Sequence, residues 1–352
     1  MRARAIDRAW VPLLALGLDL VLGDPPNRWH PVAWQGRFLA WAERLAPARE
    51  LERFLFGAGA VIVGAGLSAL VAGMVARLAQ RLPPWAGLLV ESAALKLGMA
   101  VRGLDQAAGQ VEMALRCGDL PAARHWLGWH LVSRPTADLR AEEVAAAAIE
   151  SVAENLTDGW VAPLCAWRIG GLPALWAYRL VQTADSMWGY HDPEHEWLGK
   201  PAARLDDALN WLPARLAAGL IAVAAALHGY DARRAWRVWR AEAKHTASPN
   251  AGQTMATMAG ALGVTLTKRG HYTLRGGDAP TTPDTLRRAR HIVMTASLLA
   301  GLLCGVWKGS LQTSTGRLGN ARPASGRKNL PLKGDWGGSK MGWPHDSMQS
   351  DP

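Results

Sequence analysis

Phe54 to Ala76 contains 23 residues without a single charge. A membrane helix needs roughly 20 apolar residues, so this run is long enough to cross a bilayer with some tilt. Gly57, Gly59, Gly64, Gly66 and Gly73 lie within it and would let a second helix approach closely. Arg77 and Arg81 close one end, and Arg49 and Arg53 flank the other. Lys/Arg bias therefore gives no orientation. Composition agrees with a bilayer setting: only 19% of the chain is charged, and 18 tryptophans suit the water–lipid boundary. The net charge of +10 fits anionic headgroups or phosphorylated substrates. Its arginines are scattered between apolar runs and form no basic block, so nucleic acid is not expected as a partner. Cys117, Cys165 and Cys304 are odd in number and lack CxxC spacing. They point to neither a disulfide framework nor zinc, and to a free-thiol, cytoplasm-facing protein.

Other apolar segments follow the same logic. Trp10 to Leu22 is apolar apart from Asp19 and follows a basic start. No small-residue cleavage site follows, and Gly23-Asp24-Pro25-Pro26 interrupts it. It reads as a short first membrane helix or a re-entrant segment. Pro84 to Val101 carries only Glu91 and Lys96, as a bundle-facing or interfacial helix would. Trp160 to Val181 carries Arg168 and Arg179 and is split by Gly170-Gly171-Leu172-Pro173. A broken helix at membrane depth is tolerated only where it lines a cavity or packs on protein. Leu216 to Leu227 is a short apolar continuation that forms a candidate further span when joined to Trp211, His291 to Trp307 is a last apolar segment on the short side for a span, and Asp231 to Lys244 is a basic, Trp-rich interfacial helix. The expected fold class is all-α: a polytopic membrane helical protein with several transmembrane helices and cytoplasm-facing polar helices and loops. Residues 1–307 form one membrane-embedded domain, and 308–352 read as a disordered C-terminal tail.

Chemistry concentrates in a few polar stretches. If the helix of Ala141 to Ile149 continues, Glu150, Glu154 and Asp158 fall four residues apart on one face, with Asn155 beside them and Gly159 able to end the helix. Three stacked carboxylates running into an apolar segment need a cation, a basic substrate or a proton path, unless arginines simply solvate the face. Leu22 to Pro31 is a proline-fixed loop holding Asp24 and His30. Asp185 closes the broken apolar segment. In Arg204-Leu205-Asp206-Asp207-Ala208-Leu209-Asn210, both aspartates can share a helix face with Asn210, and Arg215 lies beyond Pro213. Such hard oxygens suit magnesium, and arginines suit phosphate. His191 and His195 are four apart, but Pro193 between them favours a surface loop over a zinc site. Ser248-Pro249-Asn250-Ala251-Gly252 is a loop by composition.

In order along the chain stand five motifs. They are Leu22-Gly23-Asp24-Pro25-Pro26 with His30-Pro31; Ala148 to Gly159; Asp185-Ser186-Met187 with Gly189-Tyr190; Ala203-Arg204-Leu205-Asp206-Asp207 with Asn210; and Ser248 to Gly252 with Met258-Ala259-Gly260-Ala261-Leu262-Gly263. Their order resembles the adenosylcobinamide-phosphate synthase family of cobalamin biosynthesis, the CobD/CbiB family, over roughly residues 10–306. The resemblance implies a multi-pass inner-membrane enzyme. It would join aminopropanol, or its O-phosphate, to the free propionate carboxylate of adenosylcobyric acid. ATP as co-substrate and Mg2+ are implied by the resemblance only, as are a corrinoid substrate and other cobalamin-pathway enzymes as partners.

On that reading Glu150, Glu154 and Asp158 are catalytic, and Asp206, Asp207 and Asn210 bind the metal. Asp24, His30, Asn155, Asp185, Arg204, Arg215 and Asn250 bind substrate, the two arginines through phosphate. Two departures stand out. Arg134 is followed by Pro135, where the family commonly has an Asp, so Arg134 is left outside the site. The segment after Trp307 has no family counterpart. The competing classes are a membrane corrinoid transporter, which broken helices and intramembrane charge suit equally, and a non-catalytic membrane scaffold for corrinoid enzymes.

Overall fold

A computed structural model describes residues 8–190 and 192–318. It is helical almost throughout, in agreement with the all-α expectation. Contacts divide the chain into a large unit, Met1–Thr313, and a small one, Ser314–Pro352. The sites described below all lie in the large unit.

The first helices are α1 (Val11–Leu22), α2 (Pro31–Glu43), α3 (Glu50–Arg81) and α4 (Pro84–Lys96). Pro31 opens α2 because a first-turn proline gives up an N–H that has no helical partner anyway, and His30 Nδ1 caps the helix by accepting from Val32 N at 3.2 Å. The long α3 contains the whole uncharged run. Only 17% of its most apolar 18-residue window is buried. Ile62, Leu67, Leu70 and Met74 all face outward. An apolar face this large needs lipid or protein cover. Two of its glycines serve the inner side, whereas Gly59 and Gly66 face open space: a Cβ on Gly57 would lie 2.1 Å from the Leu198 carbonyl oxygen, and one on Gly64 would lie 2.7 Å from Phe38.

Next come α5 (Val101–Arg116), α6 (Leu120–His130) and α7 (Ala141–Leu156). The chain does not stop at Gly159. One wide turn, Thr157–Val161, carries it straight into α8 (Ala162–Trp188), with Ala162 N bonding back to Thr157 O. A π-type turn of this kind recurs at functional sites. The expected break in α8 is present: Gly171 has φ +66°, a conformation an L side chain rarely adopts, and Pro173 follows.

Two further long elements complete the frame, α9 (Glu196–Leu227) and α12 (Pro283–Leu318), with α10 (Ala232–Glu242) and α11 (Ala251–Leu262) between them. Gly199 lets α9 cross the end of α8: a Cβ there would sit 1.8 Å from the Trp188 carbonyl oxygen. Helix α11 is the central element, buried from Gly252 to Leu262. It ends at Gly263, whose φ of +71° supplies the left-handed cap. A short antiparallel hairpin follows, β1 (Thr265–Lys268) and β2 (Tyr272–Arg275), which the helical expectation did not contain.

The core is built from Trp160, Trp167, Leu172, Leu175, Ile149 and Leu156, with Ala-rich faces of α7 and α11 packed against them. Arg290 ties α12 to α5, bonding Asp105 at 2.8 Å and Glu112 at 2.6 Å. Among the described residues two helices, α3 and α9, are long and apolar enough to cross a membrane. Val11–Leu22 is apolar but shorter. The segment assigned to a disordered tail begins inside α12, whose backbone continues through Leu318, and residues 319–352 lie outside the described residues.

Candidate active site

Glu154 and Asp158 sit where α7 passes through its wide turn, facing α8 and α9. Both are surrounded by protein, yet each keeps part of its surface accessible, as groups lining a crevice do. Burial pushes the Asp158 carboxyl well up, and the charges of Asp206, Glu154 and Asp185 push it further, against a pull from Arg179. Burial likewise raises Glu154, with Lys268 opposing and Asp185 adding. Carboxylates from three helices therefore share one electrostatic neighbourhood: Glu154 and Asp158, Asp185 from α8, and Asp206 from α9. Such a cluster is stable only with protons or a cation in it.

The surrounding bonds orient it. Arg179 donates to the Asp158 backbone oxygen at 3.2 Å, and its side chain also meets Gln182. Tyr178 Oη donates to Asn210 Oδ1 at 3.0 Å, and Asn210 Nδ2 donates to Asp206 Oδ2 at 2.8 Å. The Asn210 amide is thus committed at both ends, and it positions Asp206. The other oxygen, Asp206 Oδ1, is buried without a partner. Asp207, within the field of Asp185, is fixed from the loop before α11. Ser248 Oγ donates to its Oδ1 at 3.4 Å, and Asn250 Nδ2 donates to its backbone oxygen at 2.8 Å. Asn250 Oδ1 is another buried, unpartnered acceptor.

The proline loop docks on the same region through the α4–α5 turn, where Ala100 N donates to Gly159 O at 3.2 Å. Lys96 Nζ reaches Asp24 Oδ1 at 2.5 Å and Asp19 Oδ1 at 3.6 Å. Arg102 N donates to Asp19 Oδ2 at 2.8 Å. His30 Nε2 lies 3.7 Å from Asp24. Burial works against the Asp24 charge, but the hydrogen bonds from His30 and Lys96 outweigh it and hold the carboxyl below its ordinary range.

Glu150 occupies the start of the stripe, 4% exposed. Arg134 Nη2 lies 3.7 Å from its Oε2. Arg134, left outside the site on the sequence because Pro135 follows it, thus lies beside Glu150 of the stripe. Burial pushes Glu150 up to about 7, against Arg134 and the Tyr272 hydroxyl, with the Glu154 charge adding. A raised carboxyl pKa gives stability that is present below pH 4.5 and is lost as pH rises through about 7. Glu150→Gln removes this linkage. Relative to that variant, wild type is expected to lose up to about 3 kcal/mol between pH 4.5 and pH 8. Thermal unfolding of both proteins in detergent at the two pH values checks it, and parallel pH responses refute it.

Not every candidate joins the crevice. Asn155 Nδ2 bonds Ser151 O at 2.9 Å within its own helix. Arg204 is exposed, reaching the cluster only through its charge on Asp207. Arg215 stacks on Trp211 at 4.1 Å and donates to its carbonyl, lining a separate cleft with Ser248. His195 is engaged by Asp192 at 2.9 Å and Glu43 at 3.2 Å, and His191 lies outside the described residues. Sequence reasoning placed neither Lys96 and Arg179, which it noted as charges in apolar runs, nor Lys268, Tyr178 and Tyr272 in the site. For Lys96 and Arg179 a signal existed, since a lone cation in an apolar run marks a buried partner.

Comparison with known proteins identifies the family. The family model described as CobD/Cbib protein matches residues 12–299. A cobalamin biosynthesis protein CobD from Dehalococcoides mccartyi (strain CBDB1) is 43% identical over 276 residues, covering 78% of this chain and 89% of that protein. Another, from Klebsiella pneumoniae, is 40% identical, covering 79% and 86%. The cobalamin biosynthesis protein CbiB of Salmonella typhimurium is 38% identical over the same shares. No solved structure matches. The chain belongs to the CobD/CbiB family.

Proposed function

We propose that this chain acts in cobalamin biosynthesis as an amide-forming ligase of the cytoplasmic membrane. It joins aminopropanol, or its O-phosphate, to the free propionate carboxylate of adenosylcobyric acid. The names of its relatives support the pathway. The observation that carries the chemistry is the convergence of Glu154, Asp158, Asp185 and Asp206 on one partly accessible crevice, with Arg179 and Lys268 in the same field. The outward apolar face of α3 and the length of α9 support the membrane setting.

A carboxylate is a poor acyl donor because its leaving group would be oxide. Transfer of the γ-phosphoryl group of ATP to the propionate oxygen, releasing ADP, makes phosphate the leaving group instead. The amine nitrogen then attacks the acyl carbon, phosphate departs, and the ammonium proton goes to a carboxylate. Glu154 is suited to that last task, since its raised pKa brings it nearer neutral pH, where a general base works best. Asp158 and Asp185 attract the substrate ammonium group and orient it.

Magnesium is commonly held by one or two carboxylates, with water and substrate phosphate completing the shell. Asp206, with its bare buried Oδ1, and Asp207 fit that demand. Among the described residues no three His, Cys, Asp or Glu side chains form a complete cage. Bound there, the ion would neutralise charge on the transferring phosphoryl group.

The purified chain in nanodiscs, given adenosylcobyric acid, aminopropanol phosphate and magnesium, is expected to form cobinamide phosphate only when ATP is present. Mass spectrometry of the corrinoid reads the result. Corrinoid moved across a sealed vesicle with its mass unchanged would instead establish a transporter.

A further inference from the structure

We propose that the basic cleft beside the carboxylate crevice binds the polyphosphate of a nucleoside triphosphate, the phosphoryl donor of the amide-forming reaction; this rests on the reading given above. The cleft has a volume of about 590 Å³ and is walled by Arg215 of α9, Arg240 of α10, Lys244 of the following turn, Trp239 and Ser248. No carboxylate lines it. Neither Arg240 nor Lys244 has a carboxylate partner among the described residues. Three cations gathered on one concavity repel one another and lower the free energy of any anion that enters.

Three features select the class of anion. The backbone amides at the start of α11 are already used: Ser248 Oγ accepts from Asn250 N at 3.2 Å and Ala251 N at 3.4 Å, and Thr246 Oγ1 accepts from Gly252 N at 3.1 Å. The anion is therefore held by the side-chain cations, which are spread over two helices and a turn and suit several phosphates in a row better than one. Trp239 supplies a fixed aromatic wall. Its Nε1 donates to Gln253 Oε1 at 2.8 Å, and its ring meets Trp236 edge-on at 4.9 Å. A held indole is a stacking surface for a base. The third feature is position. Ser248 lines the cleft and also donates to Asp207 Oδ1 at 3.4 Å. One end of the cleft thus abuts the carboxylates proposed to hold magnesium, where a terminal phosphate must arrive.

A lipid headgroup offers the same phosphate chemistry, so the test separates the two sources. The full chain in phosphatidylcholine nanodiscs is irradiated with 2-azido-ATP and magnesium, and labelled peptides are mapped. Label is expected between Trp239 and Gln253, competed by ATP and by inorganic tripolyphosphate and unaffected in phosphatidylglycerol-rich nanodiscs. R240E/K244E is expected to lower labelling about tenfold or more, with elution and far-UV dichroism unchanged because both side chains are exposed. Label elsewhere, displacement by phosphatidylglycerol, or equal labelling of the variant overturns the proposal. Wild-type cobinamide formation is measured in the same samples. Product with label elsewhere removes the cleft and leaves the amide-forming reading intact. Cleft labelling without product does the reverse.

Discussion

Glu154→Gln is expected to abolish the proposed cobinamide formation while the chain still inserts and folds. The change keeps the shape of the side chain and removes only its charge and its capacity to take a proton. Glu154 lies between Asp158 along the turn and Lys268 of the hairpin, within the field of Asp185. Losing a positioned base typically costs about 10²–10⁴ in rate, so kcat is expected to fall by at least about 100-fold. Folding should not suffer, because a buried carboxyl with a raised pKa gains nothing from being ionised in the empty crevice. The assay is corrinoid product by mass spectrometry in nanodiscs, with elution and far-UV dichroism as controls. Asp284→Asn serves as the comparison: that side chain is exposed and pairs with Arg116 at 2.5 Å, far from the crevice in its contacts. Full activity of Glu154→Gln removes Glu154 from the mechanism.

What the sequence made legible is what local chemistry or motif order controls. The break at Gly170-Gly171 was readable because only glycine tolerates that backbone, and the run in α3 because length and apolarity are local properties. The partnership of Asp206 with Asn210 followed from helical spacing and is present at 2.8 Å. The wide turn at Thr157–Val161 was not readable: one extra residue in a turn leaves an apolar pattern nearly unchanged, so Gly159 looked like a stop. The hairpin was missed because four-residue strands are too short to show alternation against helical surroundings. Arg134 was set aside on its neighbour in sequence, whereas its partner Glu150 is set by tertiary packing. Arg215 is expected from the sequence to bind phosphate near the aspartates. Eight residues of helix separate it from Asp207 by about 12 Å of rise, however, and that carries it into the neighbouring cleft.

Lys96→Met is expected to be the most destabilising single change near the site. Lys96 is 4% exposed and Asp19 is 1% exposed, so the pair they form has been fully withdrawn from water. Lys96 also closes on Asp24, making it the one cation shared by two carboxylates from α1 and the proline loop. Removing one partner of a buried ion pair strands the other charge, which typically costs about 3–5 kcal/mol. Methionine preserves most of the side-chain volume, so the loss is electrostatic and not a cavity effect. Asp19 Oδ1 is buried with no hydrogen bond beyond this ion pair. After the change it keeps only the Arg102 amide on its other oxygen. A double variant with Asp19→Asn removes the stranded charge and should recover much of the stability. That coupling distinguishes a broken ion pair from general damage to α4. Thermal unfolding of the wild type, both single variants and the double variant in detergent completes the cycle. Additive losses would show that Lys96 acts through packing alone. Activity should follow a different pattern: the double variant regains stability but leaves Asp24 without its 2.5 Å lysine contact, so the loop that brings Asp24 and His30 to the site stays loose and turnover remains low.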